Sequence, residues 1–474
     1  MGCKTLSLRS IRLFCKNKTR NQMTEKEIQN YIWKHKEEFD KFLQPIEFPD
    51  KPVKSPWEYS PTEVLYYHII DKYKAIWEAV QSIDFFGCEV SLKKEGDSTI
   101  RTDFLGAFEG QNGIVIVELK KSEQTERQSY TELLAYGNHM RNLFSPMCKI
   151  DIVYLLIAPM KERIVRDATI NTLLYDKNNV CALIPSWEND DISTLKLNLW
   201  IPSIEEVYQI SEGCFTEANF DVFKIAWDGL PGVWSPEKEG EEPDEDMKKK
   251  LNWLSSLAVQ LMEEQGIHGF AYCSQAYSDK LRDMLPLTNS LILVAINPYK
   301  ATKNRVLLSM GVDLEEANKQ DTTAIIMLDV IPELENKYFD PDKEDILPYL
   351  DMSWSNILAS IGFKIVKILT KSIGRDYVET SYGNFDWETY QHIYIEDTHC
   401  YNFDISLTGL LRDLFIEYSI LDWEYIKQKG YEDHPIYDDG DFPDELIDII
   451  HSQYYIREFI KRLQNPYYKW ERYI

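Results

Sequence analysis

The sequence lacks the features of membrane, zinc-binding and secreted proteins. It has no apolar run near the roughly 18 residues that a spanning helix requires, so we expect no membrane partner. The 8 cysteines are scattered without a C-x-x-C pair, which offers no zinc site. No signal peptide is recognisable, which favours reduced thiols and a cytoplasmic location. Internal repeats, phosphate-binding glycine loops and nucleophile elbows are also missing.

Basic residues are scarce in the chain as a whole. The 52 Lys+Arg against 78 Asp+Glu give a net charge of −26, which at first argues against a nucleic-acid partner. Residues 1–200, however, contain 27 Lys+Arg and 28 Asp+Glu, which leaves 25 and 50 for the remainder. The N-terminal part can therefore present a local basic face to phosphates. The acidic C-terminal half suits a protein partner, a homo-oligomer interface or an autoinhibitory surface.

Charge and turn-forming residues divide the chain into four predicted segments. Residues 1–22 carry six basic residues and no acidic one, which predicts a flexible arm that contacts nucleic acid, or an upstream extension if translation begins at Met23. Residues 23–230 form the first predicted domain, and residues 231–246 an acidic linker. Residues 247–474 form an acidic α+β domain of unknown type that acts as a sensor, a partner surface or an oligomerisation domain.

Hydrophobic periodicity predicts an α/β first domain with a mixed sheet and flanking helices. Its predicted helices cover residues 24–43, 61–81, 126–143 and 161–175. Its predicted strands are a hairpin within residues 100–121 and the segments 85–92, 152–157 and 180–184. In the C-terminal half the predicted helices cover residues 247–264, 354–369, 407–418 and 445–463, and the predicted strands 290–297 and 323–330.

The stretch Ile100 to Lys121 contains the main candidate site residues. Two runs rich in β-branched and aromatic residues flank the turn cluster 109–113, the pattern of a β-hairpin. Every plausible turn keeps Asp103, Glu118 and Lys120 on one face, because side chains alternate along strands. Three turns are possible: the pair Gly110–Gln111, the pair Asn112–Gly113, or a loop of all four residues 110–113. The first of these sets Asp103 directly opposite Glu118.

Two carboxylates and an ammonium on one strand surface suit a hard divalent cation. Mg²⁺ takes one or two protein carboxylates and fills its remaining positions with water and phosphate, and we expect Mn²⁺ to substitute. Lys120 beside Asp103 and Glu118 can hold the attacking water or help to deprotonate it. The alternative is an exposed strand end with ordinary surface charges.

The letters T-D-F-L and V-I-V-E-L-K resemble the motif of the PD-(D/E)XK nuclease superfamily, over roughly residues 60–185. The resemblance implies a restriction-endonuclease-like fold in which Asp103, Glu118 and the Leu119 carbonyl hold Mg²⁺ and Lys120 serves the reacting water. It also implies a glutamate ligand on the first core helix, for which Glu63 is the candidate. A capping box with Ser60 explains Glu63 equally well.

The helix after the E-x-K of this superfamily often carries Gln-x-x-x-Tyr. Glu132 and Tyr136 have that spacing with Glu in place of Gln, and Gln128 lies one turn earlier on nearly the same face. Gln128 is therefore a candidate catalytic residue that positions Lys120 or the substrate, with core packing as the alternative. The residue before Asp103 is threonine rather than proline.

The resemblance implies a Mg²⁺-dependent nuclease that hydrolyses DNA, and by family analogy alone it suggests a role in defence against phage or foreign DNA. One alternative is a catalytically silent nucleic-acid-binding or scaffold protein on the same fold. Another is an RNA-directed nuclease, because no recognisable stacking motif separates RNA from DNA. Three basic residues are candidate phosphate contacts, with solvated surface charges as the alternative: Arg101, Lys121 and Arg127.

Overall fold

The chain folds into two compact units in its computed structural model. The structure describes residues 23–91, 101–108, 113–122, 126, 128–143, 151–176, 178–211, 213–227, 245–276, 289–302, 346–393, 400–430 and 453–464. The first unit takes residues up to 50 and residues 69–203, and the second takes residues 51–68 and the chain from 204 onwards.

A six-stranded mixed sheet forms the centre of the first unit within the described residues. The order of the strands in the sheet is their order in the chain: β1 (Ile83–Ser91), β2 (Arg101–Phe108), β3 (Gly113–Leu119), β4 (Asp151–Ile157), β5 (Asn179–Glu188) and β6 (Asp191–Leu199). Strands β3, β4 and β5 run parallel, and the other neighbours pair antiparallel. The predicted mixed α/β sheet is thereby confirmed. The continuous apolar run in β4 is buried from Ile152 to Ile157, as expected of a central parallel strand.

Four α-helices are described in the part of the chain that precedes and connects these strands: α1 (Glu25–Lys34), α2 (Pro61–Gln81), α3 (Ser129–Leu143) and α4 (Arg163–Leu174). Helix α2 falls into the first unit from Ile69 onwards. The helices predicted over residues 61–81, 126–143 and 161–175 are confirmed, with ends that differ by at most a few residues. The capping box that opens α2 is present in the structure as predicted.

The single helix predicted over residues 24–43 is wrong. Helix α1 ends at Lys34, and a 3-10 helix follows from Lys36 to Phe42. His35 leaves helical geometry with φ −111° and ψ 26°, and its ring nitrogen bonds the Tyr31 carbonyl at 2.9 Å. The break lets the Phe39 ring pack edge-on against Phe85 of β1, with 4.9 Å between ring centroids.

The second unit is built on an antiparallel sheet with the order β10-β7-β9-β8-β11, and a further strand, β12, also pairs with β8. Its strands are β7 (Phe220–Trp227), β8 (Gly269–Ala276), β9 (Asn289–Ile296), β10 (Thr380–Asp386), β11 (Cys400–Asn402) and β12 (Ser406–Thr408). The helices described here are α5 (Ile204–Ser211), α6 (Glu245–Glu264), α7 (Ile346–Ser372), α8 (Trp387–Ile393), α9 (Gly409–Lys429) and α10 (Gln453–Gln464). Buried side chains of α6 and α7, such as Leu254 and Ile361, form one core with the sheet.

The division between the units differs from the predicted domain boundary at residue 230. Strand β7 pairs with β9 and β10, so residues 220–227 belong to the second sheet and the first unit ends at Ser203. Residues 51–68 also belong to the second unit. The domain boundary was predicted from the acidic linker, but a sequence rich in proline, glycine and acidic residues is typical of any surface loop and need not separate domains. Four predicted features lie outside the described residues: the arm 1–22, the turn 109–112, most of the linker 231–246 and the strand 323–330.

None of the helices in the described ranges combines the length and apolar character that crossing a bilayer requires.

Helix α3 approaches β4 closely because residue 137 has no side chain. A Cβ atom built on Gly137 would lie 2.1 Å from the hydroxyl oxygen of the buried Tyr154. We therefore expect Gly137→Ala to push α3 away from the sheet and to cost about 1 to 3 kcal/mol of unfolding free energy. Thermal unfolding measures this loss.

The matched control is Asn138→Ala, on the exposed side of the same helix. It should leave the unfolding midpoint almost unchanged, because alanine has a high helix propensity and no buried contact is lost. Equal midpoints for Gly137→Ala and the wild type would contradict this packing.

Candidate active site

Antiparallel pairing between β2 and β3 sets the two predicted carboxylates side by side. The pairing begins at Phe104 with Val117, in the register expected for the Gly110–Gln111 turn. The same register, continued one step beyond the last paired residues, sets Asp103 opposite Glu118, and Lys120 follows the last residue of β3. Residues opposite each other project from the same face of a sheet. The structure thus brings together all three residues of the predicted trio.

Asp103 is held at both carboxylate oxygens. Its Oδ2 atom accepts a hydrogen bond from the Leu119 backbone N–H at 2.7 Å. Its Oδ1 atom accepts one from the Gln29 side-chain amide at 2.9 Å. Two donors on one carboxylate fix the plane in which the group lies. Because each oxygen has two acceptor positions, both can still bind another ligand.

The Lys120 ammonium contacts the Glu118 side chain beneath the surface, where Glu118 is 3% exposed and Lys120 is 8% exposed. The Lys120 ammonium contacts Glu118 Oε1, and it also pairs with Glu132 Oε2 at 2.6 Å. The buried Oε2 atom of Glu118 accepts no hydrogen bond within the described residues, and the Glu132 carboxylate lies within hydrogen-bonding reach of the Glu118 side chain. Among the described residues, the cluster therefore gathers three acidic groups, Asp103, Glu118 and Glu132, around one ammonium.

The protonation equilibria reflect this shortage of positive charge. Burial raises the pKa of Asp103 to about 6, although the Leu119 N–H and Lys120 act in the opposite direction. Burial, reinforced by the Asp103 carboxylate, raises the pKa of Glu118 to about 9. Burial alone would lower the pKa of Lys120, but its contacts with Glu118 and Glu132 outweigh this and raise it above its ordinary value. Lys120 therefore stays charged at neutral pH.

Glu132 and Tyr136 lie on α3, one turn apart, and belong to this cluster. Burial raises the pKa of Glu132, but contacts with Glu118 and Lys120 outweigh it and lower the value overall. Burial raises the pKa of the Tyr136 hydroxyl, and the Glu118 carboxylate adds to that rise. The E-x-x-x-Y spacing noted in the sequence therefore marks residues that lie beside the predicted trio.

Sequence reasoning missed the contribution of α1. Gln29 donates to Asp103, and the carboxylate of Glu25, four residues earlier on the same helix face, accepts from the Lys121 backbone N–H at 3.3 Å. The Glu25 carboxylate also adds to the raised pKa of Asp103. The sequence feature that could have indicated this contact is Gln29 itself, because a polar residue beside Ile28 in the buried stripe of an amphipathic helix needs a hydrogen-bond partner.

Glu63 is engaged in the capping box of α2, within the second unit. One carboxylate oxygen accepts from the Ser60 N–H at 2.8 Å, and the other pairs with the Lys54 ammonium at 2.8 Å. Burial raises the pKa of Glu63, but these partners outweigh it and lower the value overall. The capping role is therefore confirmed, and a metal-binding role for Glu63 remains a prediction.

The remaining sequence candidates lie at the surface or outside the described ranges. Gln128 is exposed in the turn before α3, where its backbone carbonyl accepts from the Glu132 N–H at 3.2 Å. Arg101 is exposed and Lys121 is half-buried, whereas Arg127 lies outside the described residues. A direct part for Gln128 in positioning Lys120 remains a prediction.

The carboxylate cluster fits an ion that needs few protein ligands. Within the described ranges, no three His, Cys, Asp or Glu side chains are already gathered as a metal-binding group. Mg²⁺ requires only one or two carboxylates and completes its shell with water and phosphate. Asp103 and the unpartnered oxygen of Glu118 are hard donors in a site short of positive charge. A divalent cation would supply the missing charge.

Comparison of the chain with family models, curated proteins and solved structures finds no match.

The raised pKa of Glu118 makes stability depend on pH. Between the ordinary value of 4.5 and the folded value of about 9, the native state keeps a proton that the unfolded chain has lost. The wild-type free energy of unfolding should therefore fall as pH rises through this window. Glu118→Gln, which has no proton to lose, should unfold at a progressively higher temperature than the wild type from about pH 5 to about pH 9 in EDTA.

Glu38→Gln is the matched control for this titration. Glu38 is exposed and its hydrogen bond with Lys41 lowers its pKa, so it is ionised in both the folded and the unfolded chain over this window, and its removal should produce no growing difference from the wild type. A pH-independent difference between Glu118→Gln and the wild type would show that Glu118 is not protonated in the native state.

Proposed function

We propose that this protein is a metal-dependent nuclease that hydrolyses phosphodiester bonds in DNA. The observation that carries the proposal is the convergence of three side chains at one end of the β2–β3 ladder: Asp103 accepts from the Leu119 N–H, its charge adds to the raised pKa of Glu118, and the Lys120 ammonium contacts Glu118. A buried cluster with excess negative charge weakens the fold, and such clusters concentrate at functional sites. The position of the cluster on a mixed sheet, between β2 and β3, also agrees with the restriction-endonuclease-like core that the sequence resemblance implies.

Asp103, Glu118 and the Leu119 carbonyl would hold Mg²⁺, with Mn²⁺ as a substitute. When bound, the ion supplies Lewis-acid polarisation of the phosphate and lowers the pKa of water. Glu118 would release its proton to solvent when the ion binds and would direct to the ion its second oxygen, which accepts no hydrogen bond within the described residues. The Gln29 and Leu119 N–H donors would keep the Asp103 carboxylate in one orientation during turnover.

Lys120 is better suited to stabilising negative charge with its ammonium group than to acting as a general base. Its raised pKa keeps the ammonium protonated, so it can donate hydrogen bonds to the attacking water or to the phosphate oxygens. If Glu118 turns to the ion, Glu132 remains to hold the ammonium in place. The transition state carries additional negative charge, and a fixed ammonium stabilises it.

Two alternatives remain beside this proposal. A catalytically silent nucleic-acid-binding or scaffold protein is favoured by the two ion pairs that already engage Lys120. An RNA-directed nuclease would use the same cluster, since the phosphodiester is common to both nucleic acids. The role in defence against foreign DNA and the cytoplasmic location are further parts of our proposal and depend on the sequence resemblance and composition alone.

The test is incubation of the purified full-length protein with supercoiled plasmid, linear DNA and RNA in Mg²⁺, Mn²⁺ or EDTA. We expect metal-dependent cleavage of DNA that is abolished by Asp103→Ala or Glu118→Ala, because each change removes a ligand. Lys120→Ala should lower the rate by roughly 100-fold or more, because it removes a fixed charge from the transition state.

Glu63→Gln tests the remaining metal-ligand candidate. It keeps the capping-box hydrogen bonds and removes only the charge that faces Lys54, so loss of cleavage without loss of stability would add Glu63 to the metal site, whereas cleavage at the wild-type rate would leave it as a helix cap. Cleavage that survives in Asp103→Ala would exclude Asp103 from the site. Absence of cleavage of any substrate with either metal would favour the silent binding protein.

A further inference from the structure

Helix α1 places polar side chains against the carboxylate cluster from outside the sheet. Gln29 is 3% exposed, and its amide reaches Asp103 of β2, which lies 74 positions later in the chain. Glu25 lies one turn earlier and accepts from the Lys121 N–H. The face of α1 that reaches the cluster is therefore polar, although it adjoins the apolar stripe of the helix.

The Gln29 amide is fixed in orientation by a second contact. Its Oε1 atom accepts a hydrogen bond from the Lys26 ammonium at 2.9 Å, and that ammonium pairs with Glu89 of β1. Because an ammonium only donates, the oxygen of the amide must face Lys26 and the NH₂ group must face Asp103. Glu89 itself has a φ of 49°, which is uncommon outside glycine and turns its backbone locally away from regular strand geometry.

Docking of α1 does not require this polar contact. Ile28 and Ile32 are fully buried, and the Trp33 ring stacks near Phe104 with 6.4 Å between centroids. A buried amide costs free energy unless it is hydrogen-bonded, so an apolar residue at position 29 would serve docking at least as well. Glutamine at this position is therefore better explained by its hydrogen bond to the Asp103 carboxylate than by the packing of α1.

We propose that Gln29 is a positioning residue that orients the Asp103 carboxylate for metal binding, and that Lys26 orients Gln29. This inference depends on the proposed metal site, and it adds α1 to the machinery of that site. With the Leu119 N–H on one oxygen and Gln29 on the other, Asp103 is held in one rotamer before the ion arrives. Hydrogen-bond partners of metal ligands commonly affect affinity in this way.

The test measures Mn²⁺ binding by the full-length protein, from the electron paramagnetic resonance signal of the free ion. Gln29→Met keeps the length of the side chain and removes its donor, and we expect Mn²⁺ affinity to fall roughly 10- to 100-fold. Lys26→Met leaves Gln29 in place but frees its amide to rotate, so we expect a smaller loss in the same direction. Thermal unfolding of each variant reports whether the fold is retained.

Gln44→Met is the matched control, and Asp103→Ala is the reference for a lost ligand. The side chain of Gln44 is half-buried in the same unit and donates only weakly, at 3.4 Å, to the Phe42 carbonyl, so its removal should leave Mn²⁺ affinity unchanged. If Gln29→Met does not fold, Lys26→Met decides the question alone.

The outcomes separate this inference from the proposed function. Weaker Mn²⁺ binding by Gln29→Met or Lys26→Met, with Gln44→Met unchanged, supports the positioning role. If Asp103→Ala loses Mn²⁺ binding while both α1 variants bind like the wild type, Gln29 is only a structural tie and the inference is overturned. If the wild type does not bind Mn²⁺, the metal site itself is overturned, and the role of Gln29 falls with it.

Discussion

One electrostatic constraint governs the site: within the described residues, two acidic side chains on adjacent strands share a largely buried space with a single ammonium in contact. Asp103 and Glu118 would repel each other if both were ionised, and burial removes the water that would screen them, so Glu118 keeps its proton at neutral pH. Lys120, the Leu119 N–H and Gln29 offset part of this cost, yet the pKa of each of the two acids remains raised. An apolar pair at these positions would favour folding more, which is why we propose that a cation completes the site.

The surrounding fold provides the rigidity that such a site needs. Strand β3 lies between its antiparallel partner β2 and the buried parallel strand β4. A shift of β3, which would move Glu118 relative to Asp103, would therefore break the hydrogen bonds of both ladders. Helix α3 lies close to β4 because Gly137 leaves room for Tyr154, and it delivers Glu132 to Lys120. Rigid elements hold a catalytic group more accurately than loops do, which is the condition for electrostatic catalysis.

The sequence predicted the hairpin trio well and its surroundings less well. Strand alternation fixes which residues share a face, so Asp103, Glu118 and Lys120 followed from parity alone, before the turn was known. The role of Gln29 did not follow, because a contact between residues 29 and 103 leaves no local pattern in the chain. The break at His35 was missed because helical periodicity continues across it, and the assignment of β7 to the second sheet depends on long-range pairing with β9 and β10.

The most direct test of the central claim is the position of a divalent cation in crystals of the full-length protein grown with Mn²⁺, located by its anomalous scattering. We predict an anomalous peak within about 2.0 to 2.6 Å of carboxylate oxygens from both Asp103 and Glu118. The Glu118 Oε2 atom, unpartnered in the present structure, should be among the ligands. Ordered carboxylates without a peak between them, at a saturating Mn²⁺ concentration, would contradict the account.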